Sequence, residues 1–172
     1  MRQIKDDMVP FIDKNEIEEL VSKLAKKINE DYQDKEVVVI CPLKGSIHFA
    51  ADLVRKLNFN LQIDFVYLTS GGKGTPTRIT KDISVNINNK HVIILEEIID
   101  SGRKLSFLKN RLQTAGPASV KTACLLDKPA RRDLPVKPDY VGKVIDDRYV
   151  VGYGMDQEEI GRNYARIYNL KN

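Results

Sequence analysis

The segment from His91 to Lys104 holds the densest chemistry in the chain. An apolar run, His91-Val-Ile-Ile-Leu95, meets an acidic pair, Glu96-Glu97. Asp100-Ser101-Gly102 and a basic pair, Arg103-Lys104, follow. If the run is a strand and the residues after Gly102 open a helix, the turn offers unpaired backbone N–H groups at a positive dipole end. Ser101 adds a hydroxyl, Gly102 allows close backbone approach, and Arg103 and Lys104 add charge. Such a turn cradles phosphate. Glu96, Glu97 and Asp100 would repel that phosphate unless they bind hydroxyls, a metal or a proton. A sugar phosphate meets the condition, with its ribose hydroxyls on the acids. The competing reading is that Asp100 or Ser101 caps the helix and the glutamates are solvated.

The elements around this turn read as strands alternating with helices. Asp13-Lys14-Asn15-Glu16 has the form of a capping box, and Ile17, Leu20, Val21, Leu24 and Ile28 follow at helical spacing. Glu36 to Cys41 is a β-branched run with no polar face, which predicts a strand covered on both sides. It ends at Pro42-Leu43-Lys44-Gly45-Ser46, and a helix is expected from Ile47 to Leu57. Leu61 to Leu68 alternates as a second strand. Residues 69–82 are glycine-rich, polar and basic, and predict a mobile loop or a flexible hairpin. Strand His91–Leu95, a helix from about Arg103 to Thr114 and strand Ser119–Leu126 come next. The tail predicts short strands at Tyr140–Ile145, Tyr149–Gly152 and Ala165–Asn169, with a helical turn near Glu158–Asn163. This order predicts an α/β fold with a mainly parallel sheet flanked by helices. Ligands in such sheets sit beyond the carboxyl ends of the strands, which singles out Leu43–Ser46 and Glu96–Lys104.

Composition narrows the class. The chain has 172 residues, 42% apolar and 30% charged, a length that predicts one domain with a real core. Cys41 and Cys124 lie in apolar runs, as small core hydrophobes in a reduced, cytoplasmic setting do. They are too scattered for a zinc site. MRQIKDDMVP has charges where a signal peptide is apolar, and no stretch approaches the roughly 20 residues needed to span a bilayer. Net charge is +4. That excess favours anionic ligands, but no basic stripe with interleaved aromatics points to nucleic acid. Gly72-Lys73 is followed by Gly74, so this is no Walker loop, and the dinucleotide fingerprint is missing too. His48 and His91 have no serine or cysteine partner that suggests a triad.

Val92-Ile-Ile-Leu-Glu-Glu-Ile-Ile-Asp-Ser-Gly102 resembles the phosphoribosyl pyrophosphate (PRPP) motif of type I phosphoribosyltransferases. Leu43-Lys-Gly-Ser46, Asp127-Lys128-Pro129, Pro138-Asp-Tyr-Val-Gly142 and Tyr149-Val-Val-Gly-Tyr-Gly-Met-Asp156, with Arg162 after it, narrow the resemblance to the hypoxanthine-guanine phosphoribosyltransferases. It spans about Glu36 to Leu170. It implies a Rossmann-like core at about 36–130, a small hood from about 1–12 and 131–172, and a mobile lid at about 69–82.

The resemblance also implies roles. The family transfers 5-phosphoribose from PRPP to a purine nitrogen and releases pyrophosphate, with Mg2+. Asp100, Ser101, Gly102, Arg103 and Lys104 would hold the 5′-phosphate, and Glu96 and Glu97 the ribose hydroxyls. Asp100 would lie near purine N7 as general base. Lys128 would donate to the 6-oxo oxygen, Tyr149 would stack on the base, and Val150 and Met155 would line its pocket. Asp156, with Glu96 and Glu97, would meet the metal. Lys44, Gly45 and Arg162 would hold pyrophosphate, in a loop that carries a non-proline cis peptide in the family. A homodimer or homotetramer is implied, acting on PRPP and a 6-oxopurine.

Three positions depart from the family pattern. Glu97 stands where the family usually has Asp, Ser70-Gly71 where the lid has Ser-Tyr, and Lys104 where threonine is usual. Two other functions use the same fold: an RNA-binding or nucleotide-sensing regulator, and a transferase for another base such as xanthine. RNA affinity that falls steeply with salt would mark the first. Lys128, Tyr149 and Asp156 favour a 6-oxopurine.

Overall fold

The computed structural model describes residues 7–69 and 76–171. The chain runs β1 (Met8–Ile12), α1 (Lys14–Asp31), β2 (Val37–Leu43), α2 (Ile47–Val54), β3 (Leu61–Thr69), β4 (Arg78–Lys81), β5 (His91–Ile99), α3 (Arg103–Gln113), β6 (Ser119–Asp127), β7 (Tyr140–Val144), β8 (Val150–Val151) and β9 (Ile167–Leu170).

Six strands form the main sheet in the order β4-β3-β2-β5-β6-β7. All neighbours pair in parallel except β4, which returns antiparallel to β3. The period of two along each strand feeds two cores. Val37, Val39, Cys41, Ile93 and Leu95 pack with α1 and α2 on one face. Val38, Ile40, Val92, Ile94 and Cys124 pack with Leu105, Leu108 and Leu112 of α3 on the other. The two cysteines are free and buried, one in each core. Among the described residues no helix is long and apolar enough to cross a membrane.

The predicted elements form, with instructive differences. Asp13 caps α1 by accepting from the backbone N–H of Asn15 at 2.8 Å and of Glu16 at 3.0 Å. Glu16 does not complete the box; its carboxylate takes Lys143 Nζ at 2.6 Å. β2 and β5 run past the predicted ends, so Leu43 and the acidic pair are strand residues. The segment 69–82 is partly a hairpin: β3 continues to Thr69 and β4 returns beside it. Its tip, with Ser70 and Gly71, lies outside the described residues.

The hood is a second sheet, β1-β9-β8, pairing Met8 with Leu170 and Val150 with Asn169. β1 was not anticipated, since its partner strand lies at the other end of the chain. Tyr140–Val144, expected in the hood, joins the main sheet beside β6. The expected helical turn near Glu158–Asn163 is a tight turn, with Glu158 and Glu159 at positive φ and a bridge between Gln157 and Ile160.

Candidate active site

The carboxyl ends of the central strands open on a hollow of about 950 Å³. It is lined by Leu43–Gly45, Glu96–Leu105, Ala130–Asp133 and, from the hood, Asp156, Glu159 and Arg162. This is where an open parallel sheet binds its ligand. A second hollow, about 780 Å³, lies near Gln33–Val37 and Asn58–Gln62 and includes none of the candidate site residues.

The turn expected to cradle phosphate lies at the start of α3. Gly102 sits ahead of the helix at φ 80°, and no side chain caps the helix there. Ser101 Oγ reaches the N–H of Arg103 only at 3.4 Å. Asp100 faces elsewhere: its Oδ1 accepts from Arg131 Nε at 3.1 Å, and its Oδ2 lies 4.0 Å from Lys128 Nζ. Asp100 therefore does not cap the helix, and among the described residues the only side-chain acceptor at its first turn is the long contact from Ser101. Gly102 is required twice over. Its φ disfavours a side chain, and a Cβ would sit 2.4 Å from Val136 Cγ2. Arg103 pairs with Asp133 at 2.8 Å.

Glu96 and Glu97, in the last half of β5, line the hollow. Burial, then the neighbouring Glu97 charge, raises Glu96 well above the usual carboxylate range. Burial likewise pushes Glu97 up to about 7, against the pull of Lys104 and Arg162. Glu97 Oε2 is buried without a hydrogen-bond partner. Its Oε1 lies 1.8 Å from where a Cβ on Gly45 would stand, so the longer side chain at 97 fits because residue 45 has none.

On the far wall the Leu43–Lys44 peptide is cis. Lys44 Nζ donates to Glu159 Oε2 at 2.6 Å. Arg162 donates to the Gly154 carbonyl at 2.8 Å and pairs with Asp156 Oδ1 at 2.8 Å. Asp156 Oδ2 accepts from the Glu159 N–H at 2.8 Å, so both its oxygens are engaged within the hood. Gly154 meets Gly45 back to back: a Cβ on Gly154 would stand 1.9 Å from the Gly45 carbonyl oxygen.

The structure gathers Lys44, Gly45, Glu96, Glu97, Asp100, Ser101, Gly102, Arg103, Lys104, Asp156 and Arg162 around one hollow. Lys128 adjoins it through Asp100, its side chain only 7% exposed. Tyr149 stands 51% exposed, its hydroxyl donating to the Asp156 carbonyl at 3.0 Å. Val150 and Met155 are different. Both side chains are buried in the core, and the N–H and carbonyl of Met155 bond Gly152. Neither side chain lines the hollow.

Three neighbours of the candidate site escaped the sequence reading. Arg132 donates to the carbonyls of Ile99 at 2.9 Å and of Lys128 at 3.3 Å, to that of Asp100, and to the Asp127 carboxylate. Arg131 holds Asp100, and Glu159 bridges Lys44 and Arg162. The only signal in the sequence was position: Asp127 and the arginine doublet bracket Lys128, and Glu159 lies between Asp156 and Arg162.

A family model described as the phosphoribosyl transferase domain matches residues 12–158. A hypoxanthine-guanine phosphoribosyltransferase of Staphylococcus epidermidis is 38% identical over 171 residues, covering 97% of this chain and 96% of that one. A hypoxanthine phosphoribosyltransferase of Haemophilus influenzae is 40% identical over 164 residues, covering 91% and 92%. A solved hypoxanthine-guanine phosphoribosyltransferase from Bacillus anthracis superimposes with a TM-score of 0.92 at 41% identity, covering 95% of this chain and 98% of that one. These matches place the chain in the phosphoribosyl transferase family, among the hypoxanthine-guanine phosphoribosyltransferases.

Proposed function

We propose that this chain is a purine-salvage enzyme that transfers 5-phosphoribose from PRPP to hypoxanthine or guanine, giving the nucleotide and pyrophosphate. The observation that carries the reading is the pairing of a buried lysine with a carboxylate. Lys128 Nζ and Asp100 Oδ2 lie 4.0 Å apart. A 6-oxopurine presents its oxygen and N7 side by side on one edge. Lys128 donates to the oxygen and Asp100 accepts from N7–H. Adenine puts an amino group where Lys128 needs an acceptor, so it is rejected.

The reaction breaks the bond from ribose C1′ to pyrophosphate and forms the bond from C1′ to a purine nitrogen. The purine proton passes to the Asp100 carboxylate, which Arg131 keeps oriented. Lys128 stabilises charge that builds on the 6-oxo oxygen. The α3 amides, Ser101 and Lys104 hold the 5′-phosphate, and Glu96 and Glu97 the ribose hydroxyls. Lys44, Gly45 and Arg162 receive the leaving pyrophosphate. Tyr149 offers an exposed ring for stacking. Val150 and Met155 shape the base pocket from behind, as packing under the hood. Thr69 and Thr77, at the described ends of the segment expected as a lid, line the hollow, and shielding there would keep water from the electron-poor ribosyl centre.

Magnesium fits these residues. Among the described residues no three His, Cys, Asp or Glu side chains form a cluster that could hold a metal. Magnesium bound with PRPP needs only one or two carboxylates, since substrate oxygens and water complete its shell. The unpartnered, proton-hungry Glu97 Oε2 suits that role, with Glu96 beside it. Asp156 would have to release Arg162 or the Glu159 amide to join them. The ion would neutralise charge on the departing pyrophosphate.

A cytoplasmic setting accords with the two free, buried thiols. A homodimer or homotetramer accords with Ile63 and Phe65, large apolar residues exposed on β3.

The deciding assay supplies PRPP, magnesium and one base at a time. Turnover of hypoxanthine and guanine, with none of adenine, is expected. No turnover with any purine base would overturn the reading.

A further inference from the structure

Lys44 and Arg162 come from distant parts of the chain and converge on one carboxylate. Glu159 Oε2 accepts from Lys44 Nζ at 2.6 Å, and its Oε1 lies 3.4 Å from Arg162 Nη2. The Glu159 backbone is pinned there. Its N–H donates to Asp156 Oδ2 at 2.8 Å, and the turn is closed by Gln157 and Ile160, each N–H bonding the other's carbonyl at 2.9 and 3.0 Å. Glu158 and Glu159 occupy this turn at φ 50° and 68°. Asn and Gly are the usual residues at such angles, so local backbone preference does not account for glutamate. Of the two, only Glu159 reaches the cations. Hydrogen bonding from Lys44 holds its carboxyl below the usual range, so it is charged at neutral pH.

We propose that Glu159 is a built-in competitor for the pyrophosphate group. Its carboxylate pairs with Lys44 and shares Arg162 with Asp156 when no pyrophosphoryl group is present, and PRPP or pyrophosphate must displace it to bind. This rests on Lys44 and Arg162 being the pyrophosphate subsite. A protein whose competent state is only partly populated binds more weakly by that fraction. The same factor therefore weakens PRPP and pyrophosphate alike. The effect on turnover is at release: as pyrophosphate departs, Glu159 returns to the two cations and opposes rebinding. Lys44 and Glu159 are exposed, at 50% and 61%, and Arg162 is half-buried, so the contacts are modest and the one with Lys44 is salt-sensitive.

The test titrates magnesium pyrophosphate calorimetrically into the full chain, as wild type, Glu159→Gln, Glu158→Gln and Lys44→Gln. One exposed and one half-buried ion pair of ordinary strength predict that Glu159→Gln binds about two- to tenfold tighter. The gain should shrink at high salt, and the KM for PRPP should fall by a similar factor while that for the purine stays put. Glu158→Gln removes the same charge from the same turn and should bind as wild type does. Unchanged or weaker binding by Glu159→Gln overturns the inference, as does an equal gain in Glu158→Gln. Lys44→Gln separates the two levels. If it loses affinity, the subsite stands even where the competitor fails; if it binds as wild type does, the subsite reading fails too.

Discussion

The Arg132 guanidinium is bonded to the Asp127 carboxylate, with side chains only 12% and 10% exposed. The same guanidinium holds the carbonyls of Asp100 and Lys128. The ion pair thus ties the proposed base and the proposed purine donor to one rigid group. Arg132→Met would leave Asp127 buried and unpaired, at a cost of roughly 3–5 kcal/mol. A large fall in Tm is expected. Asp127→Asn combined with Arg132→Met should lose less than the sum of the single changes, and additive losses in that double-mutant cycle would sink the coupling.

Asp100 is half exposed, and its contact with the buried Lys128, at 4.0 Å, is too long for a hydrogen bond. Asp100→Asn should keep the wild-type Tm and slow turnover by about 10² to 10⁴, the usual worth of a general base. Wild-type turnover in the variant would remove Asp100 from that role.

Lys128→Met tests the purine edge. Loss of one hydrogen bond from a charged donor predicts kcat/KM for hypoxanthine lower by about 10 to 10², with PRPP binding unchanged. An equal loss in PRPP affinity would show that Lys128 supports the whole hollow rather than the base.

Gly102→Ala forces a side chain into a left-handed backbone and against Val136. Strain of this kind costs about 1–3 kcal/mol and would displace the first amides of α3. Weaker PRPP binding together with a lower Tm is expected. Unaltered binding of PRPP would mean that the cradle tolerates the shift.

Glu97 gives a pH signature. Burial raises its pKa in the folded chain to about 7, while in the unfolded chain it titrates near the ordinary value of about 4.3. Between those values the folded state binds more protons, so stability falls as pH rises and levels off above about 7. Glu97→Gln removes this contribution. Its Tm should exceed that of wild type at pH 8, and the two curves should converge near pH 4. Parallel curves across that range would show that Glu97 is not held protonated by its surroundings.

Much of this was legible in the sequence because it is local. The continuous apolar runs at Val37 and His91 specify doubly buried strands, and Asp13 caps α1 through neighbours two and three residues on. Asp100-Ser101-Gly102 marks a strand-to-helix turn whatever surrounds it. Other features depend on contacts across the chain and had no local signal. β1 is a strand only because β9 pairs with it. Tyr140–Val144 belongs to the main sheet because β6 offers an open edge. Met155 turns inward because the hood closes over it. Gly45 accommodates the longer Glu97, and Glu159 finds Lys44, because two loops distant in sequence meet at the strand ends. Residue types and their spacing set which groups could act; only the tertiary structure set which charges face one another, because electrostatic partners are chosen by distance in space.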